Sequence, residues 1–256
     1  MEGFCTGTRA GWEKFEGNPV LGGSYGVCFD ISVLETDGGY RMYFSWRTRK
    51  SIAVTDSRDG FSWSEPEICL APRPTPQGWE NDLNRPAVVY REGIYHMWYT
   101  GQFHFGDRGG TSHIFYAVSE DGIHFQRKQD EPVLWPEEPW EKSSLMCPDV
   151  MWDEEEQLYK MWYSGGEKYE PNAIGYAVSK DGIHWEKRAG NPVFQADPEN
   201  PIIAPDPGAW DGEACYKPYA IYDGNRWMLW YNGRKGHVEQ IGVAVHEGWE
   251  LGFQGD

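Results

Sequence analysis

Four acidic residues carry most of the chemistry this chain offers: Asp30, Asp82, Asp149 and Glu213. Each stands on, or just ahead of, a short β-forming run: VCFDISVLE (27–35), NRPAVVY (84–90), MCPDVMW (146–152) and CYKPYAIY (215–222). Arg85 and Lys217 lie on the same runs. Arg47, Arg49, His104, Asp107, Arg108, Glu167, Arg234, His237 and Glu239 follow one run later. Carboxylates pass protons and stabilise oxocarbenium charge, cations and imidazoles read hydroxyls, and aromatic faces stack on a ring, so this residue set suits a sugar site. The competing reading is that inner-strand Asp and Arg pair as solvated ion pairs with no chemistry at all.

The elements that must position these groups come from a repeat. YRMYFSW (40–46), YHMWYTG (95–101), YKMWYSG (159–165) and WMLWYNG (227–233) are copies of one phrase. A self-similar unit at this period marks a repeat architecture, and the alternation of aromatic with Met or small residues predicts half-buried strands. Each copy leads into a second run, SIAVTDS (51–57), IFYAVSE (114–120), IGYAVSK (174–180) or IGVAVHE (241–247), and three of these end in S-x-D-G turns. A unit of four short strands with a fixed turn is a propeller blade. The expectation is an all-β, four-bladed β-propeller covering 1–256 as a single domain, with a five-bladed propeller as the alternative. GWEKFEGNPVL (11–21) repeats the outer-strand phrase IHWEKRAGNPVF (183–194), and the last unit lacks that strand. The N-terminus is therefore expected to close the last blade and remove its open edge.

Composition narrows the partners. A formal net charge of −17 argues against nucleic acid and anionic membrane. No apolar run reaches the ~20 residues that span a bilayer. The opening MEGFCTGTRAGW has no apolar signal core, so the expected location is the cytoplasm, or outside the cell if a signal peptide was removed. Five widely spaced Cys make neither a metal pattern nor an even disulfide set. No cofactor is called for, although Asp30 and Asp149 offer oxygen ligands for an ion in a central channel.

Subtracting the repeat separates structural from chemical acids. Asp59, Asp121 and Asp181 recur in the S-x-D-G turns and read as turn formers. Trp79-Glu80, Trp140-Glu141 and Trp210-Asp211 recur ahead of three inner strands and read as structural too. Asp82 and Glu213 do not recur. By simple alternation, Asp30 and Asp149 share a register that holds Ala87 and Tyr219 in the other blades, with Cys28, Arg85, Cys147 and Lys217 two residues earlier.

WENDLNRPAVVYREGIYHMWY (79–99) resembles the segment that opens the catalytic domain of family 32 glycoside hydrolases, where W-x-N-D-P-N-G carries the nucleophile. Trp79, Asn81, Asp82 and Asn84 match, while Leu83 and Arg85 replace Pro and Gly. MCPDVMWD is similar to that family's R-D-P-x-V-x-W segment, with Cys147 in place of its Asp. Glu213-Ala214-Cys215 resembles its Glu-Cys acid/base pair with one residue inserted. The N-P-V-L and S-x-D-G-I-H-W phrases are also similar to families 43 and 130. The resemblance implies a five-bladed propeller acting on furanosides or mannosides, with a small glycan or glycoside as substrate. It implies Glu213 as general acid and places Asp82 at the nucleophile; the residues themselves leave Asp82 or Asp30 as the base or nucleophile. Asp149 would then tune the acid or bind hydroxyls, and Arg85, His104, Lys217, Arg234 and Glu239 would bind substrate. A phosphorylase-like reaction, with Arg85, Lys217 and Arg234 holding phosphate, is the second reading. A non-catalytic glycan-binding propeller is the third.

Overall fold

The computed structural model describes residues 11–104, 110–167, 170–187, 189, 209–211 and 214–248. Sixteen strands are described: β1 (Glu13–Lys14), β2 (Cys28–Thr36), β3 (Gly39–Trp46), β4 (Ser51–Ser57), β5 (Glu67–Leu70), β6 (Asp82–Arg91), β7 (Ile94–His104), β8 (Gly110–Ser119), β9 (Gln126–Arg127), β10 (Ser144–Asp153), β11 (Leu158–Glu167), β12 (Glu170–Ser179), β13 (Glu186–Lys187), β14 (Ala214–Tyr222), β15 (Arg226–Lys235) and β16 (Val238–Glu247). They run as antiparallel meanders, the unit of a β-propeller: β2-β3-β4-β5, β6-β7-β8-β9, β10-β11-β12-β13 and β14-β15-β16. One parallel pairing, Ser112 with Ser144, ties β8 to β10. No helix among the described residues is long and apolar enough to cross a membrane.

The chain divides into two compact units, one built from residues in 1–49, 55–66 and 197–256, the other from 50–54 and 67–196. Within the first, β1 pairs with β16 through Glu13 with Val245 and Lys14 with Ala244, so the N-terminal strand completes the last meander as the phrase match predicted.

The half-buried middle strand expected from alternation holds in β11, where Trp162 is exposed between buried Met161 and Tyr163, and is corrected in the other three. Met42, Tyr43 and Phe44 of β3, Met97, Trp98 and Tyr99 of β7, and Met228 to Tyr231 of β15 are buried on both faces. These three strands are covered from both sides, so their small and large residues pack into two different layers rather than into core and solvent. In the second unit, Trp98, Tyr116, Leu145, Tyr159, Met161 and Tyr163 belong to one apolar cluster spanning two meanders.

The recurring acids are the fasteners of the outermost strands. Asp211 accepts from Tyr231 of β15 (2.9 Å) and from Lys14 of β1 (2.6 Å). Glu141 accepts from Tyr163 of β11 and Lys187 of β13, each at 2.8 Å. Glu80 accepts from Tyr99 of β7 (2.7 Å), Arg127 of β9 (2.6 Å) and Arg73 (2.5 Å). All three acids are fully buried, and each accepts from one middle-strand phenol and at least one cation, the kind of partner a buried carboxylate requires. Burial works against the charge on Glu141, but the N–H groups of Glu137 and Glu138, with Lys187 and Tyr163, outweigh it and hold its carboxyl below the usual range.

The S-x-D-G turns are built as expected. In each, the Asp Oδ1 accepts two backbone N–H groups while the Ser Oγ accepts the Gly N–H. Gly182, at φ 77°, has no room for a side chain, since a Cβ would lie 2.7 Å from Trp98. Its carbonyl accepts from Trp98 Nε1 at 2.7 Å, which locks the turn of one meander onto the middle strand of the preceding one.

Candidate functional site

The inner strands share a local device that simple alternation misses. The pairing of β2 with β3 shifts between Phe29 and Ile31, that of β6 with β7 between Asn84 and Ala87, that of β10 with β11 between Met146 and Asp149, and that of β14 with β15 between Tyr216 and Tyr219. Each is a β-bulge, and three of the four carry a Pro, which removes a ladder donor: Pro86, Pro148 and Pro218. The residue at the bulge is Asp30, Arg85 or Cys147, at φ 53°, 55° and 55°, with Lys217 in the corresponding place. This corrects the register read from the sequence. Asp30 is equivalent to Arg85, Cys147 and Lys217, whereas Asp149 lies two residues on, level with Ser32, Ala87 and Tyr219. An extra residue in one strand breaks the two-residue alternation, so no count across it keeps the face. Non-Gly residues in the left-handed region cost about 1–3 kcal/mol each and collect at functional sites.

In the second unit the strand register builds a polar row across four strands. Asp82 of β6 is opposite Gln102 of β7, Gln102 opposite Ser112 of β8, and Ser112 opposite Ser144 of β10. All four are buried, at 5%, 0%, 1% and 0% exposure. Asn84 and Thr100, also buried, pair one step further in. Asn84 Nδ2 donates to Gln102 Oε1 (2.8 Å), Gln102 Nε2 to Ser112 Oγ (3.1 Å), and Arg85 Nη1 to Asn84 Oδ1 (2.7 Å). The N–H of Cys147 donates to Thr100 Oγ1 at 3.2 Å. A blade interior this polar is expensive unless it serves a site. Asp82 and Arg85, expected from the sequence, are thus brought together on β6. Thr100, Gln102 and Ser112 were not singled out, and Asn84 was noted only as a match to the family motif. Thr100 had a signal, since the next-to-last residue of each middle-strand phrase is polar: Ser45, Thr100, Ser164 and Asn232.

Trp79 departs from its counterparts nearby. Trp140 stacks on Tyr163 and Trp210 on Tyr231, each at 5.9 Å, over Gly175 and Gly242. The second meander has Phe115 in the glycine's place. Phe115 takes the stacking position on Tyr99 (5.8 Å), and Trp79 meets His113 edge-on at 5.4 Å instead. Burial pushes the His113 imidazole down to about 4, and its Nδ1 makes no hydrogen bond among the described residues.

The remaining expected residues fall as follows. Asp149 is exposed on β10, opposite Trp162 of β11. His104 ends β7, opposite Gly110. In the first unit, Asp30 is buried at its bulge, with Arg47 over the Phe29 ring at 5.5 Å. The register sets Ala214, Arg234 and Glu239 side by side across β14, β15 and β16. Lys217 occupies the β14 bulge. Glu213 lies outside the described residues, as do Asp107 and Arg108. Among the described residues, no three His, Cys, Asp or Glu side chains gather as a metal ion would require.

Comparison with known proteins bears on the same segment. The model of the glycosyl hydrolases family 32 N-terminal domain matches residues 73–225, more than half of the chain. An uncharacterized protein of Mycobacterium tuberculosis is 29% identical over 212 residues, covering 79% of this chain and 62% of that protein. A 1,2-beta-oligomannan phosphorylase of Thermoanaerobacter is 33% identical over 119 residues, 43% of this chain and 39% of that enzyme. The chain thus spans less than two thirds of the length of these curated relatives. A solved structure described as a glycoside hydrolase superposes with a TM-score of 0.73 at 16% identity, covering 89% of each chain, and has the same propeller fold.

Proposed function

The chain belongs to the family of glycosyl hydrolase family 32 N-terminal domains, and from that premise we propose that it cleaves a glycosidic bond in a small glycan or furanoside by carboxylate catalysis. The observation that carries this reading is the buried polar row that begins at Asp82, on a strand with a strained bulge and inside the matched segment. Asp82 stands where the family's W-x-N-D motif places its nucleophile, and it acts as nucleophile or as base toward water. Glu213 donates the proton to the leaving oxygen as the bond to the anomeric carbon breaks. The electron pair of that bond leaves with the protonated oxygen, and water supplies the new bond. Asp30 is the second candidate for the basic partner, and Asp149 reads hydroxyls. Arg85, His104, Lys217, Arg234 and Glu239 hold the sugar.

The similarity to an oligomannan phosphorylase favours a second reading, in which inorganic phosphate replaces water and Arg85, Lys217 and Arg234 hold it. The test is a panel of 1,2-β-mannobiose, sucrose and p-nitrophenyl furanosides and mannosides, run with and without inorganic phosphate. Free sugar formed without phosphate supports hydrolysis, and sugar 1-phosphate formed only with phosphate supports the second reading. Glycan binding without turnover on the whole panel would overturn both and leave a binding propeller.

A further inference from the structure

Gln102 is fully buried in the middle of the polar row, and nothing in the reaction just described uses it. Its surroundings fix its orientation. A guanidinium only donates hydrogen bonds, so the contact of Arg85 Nη1 with Asn84 (2.7 Å) must end on the amide oxygen. The Asn84 NH2 is thereby turned to Gln102, whose Oε1 accepts at 2.8 Å. The Gln102 NH2 in turn faces Ser112 Oγ at 3.1 Å. The result is a one-way relay with a cation at one end and a hydroxyl at the other, in which each amide has a single permitted flip. Gln102 also lies directly opposite Asp82, three residues before Arg85 on β6. Arg85 itself sits on the bulge at φ 55°, where its backbone is strained.

We propose that Gln102 is a positioning residue, holding Asn84 in the flip that fixes the Arg85 guanidinium at the substrate side of the site. The proposal rests on the reading that this row lines a glycoside site, and its test separates the two. The first measurement needs no substrate: hydrogen exchange of the Arg85 Nη–H groups, which include the donor to Asn84, assigned by their loss in Arg85→Lys, in the wild type and in Gln102→Leu. The expected result is exchange at least tenfold faster in Gln102→Leu, with the backbone amides of β6 and β7 still protected. Unchanged Arg85 exchange would overturn the proposal.

The second measurement uses whichever p-nitrophenyl glycoside of the panel the wild type cleaves. Gln102→Glu, charged or protonated, still accepts from Asn84, and the Ser112 hydroxyl can turn to donate to it. Its kcat/KM should therefore stay well above that of Gln102→Leu, which should fall tenfold or more below the wild type. In an Arg85→Ala background, Gln102→Leu should cost nothing further, because the effect runs through Arg85. Equal losses in both backgrounds, or a lowered Tm with kcat/KM unchanged, would make Gln102 a structural residue. Should Gln102→Leu fail to fold, Ser112→Ala enters both measurements in its place, with a smaller loss of the same pattern expected. Should the wild type cleave no glycoside, the functional reading fails while the exchange measurement still decides this proposal.

Discussion

Asp30, Arg85 and Cys147 share a left-handed backbone that none of their side chains favours. The cost is small for Asp and larger for Arg and Cys, and it is sustained by strand pairing on both sides of each bulge. At this scale Asp82 stands out in the sequence because it breaks the repeat and matches a family motif; the equivalence of Asp30 with Arg85 is hidden, because the Cys-x-Asp spelling shared by 28–30 and 147–149 draws Asp30 level with Asp149 instead. Two predictions belong here. If Glu213 is the general acid, Glu213→Gln should lower turnover of an unactivated glycoside at least about a hundredfold. An aryl glycoside with a good leaving group should lose much less, and equal losses on both substrates would remove Glu213 from that role. The second concerns His113. Its folded pKa of about 4 lies below the ordinary His value, so the folded state binds fewer protons in between. Stability is complete above the ordinary value and falls as pH drops from about 6.5 to 4, by up to roughly 3 kcal/mol. Burial lowers the His96 imidazole as well, with the same sign. Urea unfolding across that range should show a shallower pH slope in His113→Gln, and an unchanged slope would place the titration elsewhere.

At the level of elements, the outermost strands are only two residues long in three meanders, too short to hold by ladder hydrogen bonds alone. Each is instead fastened by a cation reaching a buried acid: Lys14 to Asp211, Arg127 to Glu80 and Lys187 to Glu141. The recurrence of the Trp-acid pairs announced a structural role, but only the folded chain shows that acid, phenol and cation meet, since they are far apart in sequence. Lys14 and Asp211 are both almost wholly excluded from solvent. Lys14→Ala would strand a buried carboxylate, so it should cost about 3–5 kcal/mol, and the double change Lys14→Met with Asp211→Leu should restore part of that. Thermal and urea unfolding check both, and a Lys14→Ala protein as stable as the wild type would mean that β1 is not fastened this way.

For the whole molecule, the repeat was sufficient to foresee an all-β propeller chain and the pairing of the N-terminal strand with the last meander, because the period and the misplaced outer-strand phrase are covalent facts. Deletion of residues 1–21 should therefore lower the unfolding temperature of the entire first unit, whereas an unchanged transition would contradict the pairing of β1 with β16. The polar lining of the site was only half legible. Its charged members break the repeat, while its neutral amides and hydroxyls differ from a blade's usual residues by a few atoms and become meaningful only when the register lines them up. The central claim is that Asp82, at the head of that row, acts on a glycosidic bond. Asp82→Asn preserves shape and removes the charge, so the direct test is its kcat on the p-nitrophenyl glycoside turned over by the wild type. The account predicts a loss of at least about a hundredfold with an unchanged unfolding temperature, and wild-type turnover by Asp82→Asn would contradict it.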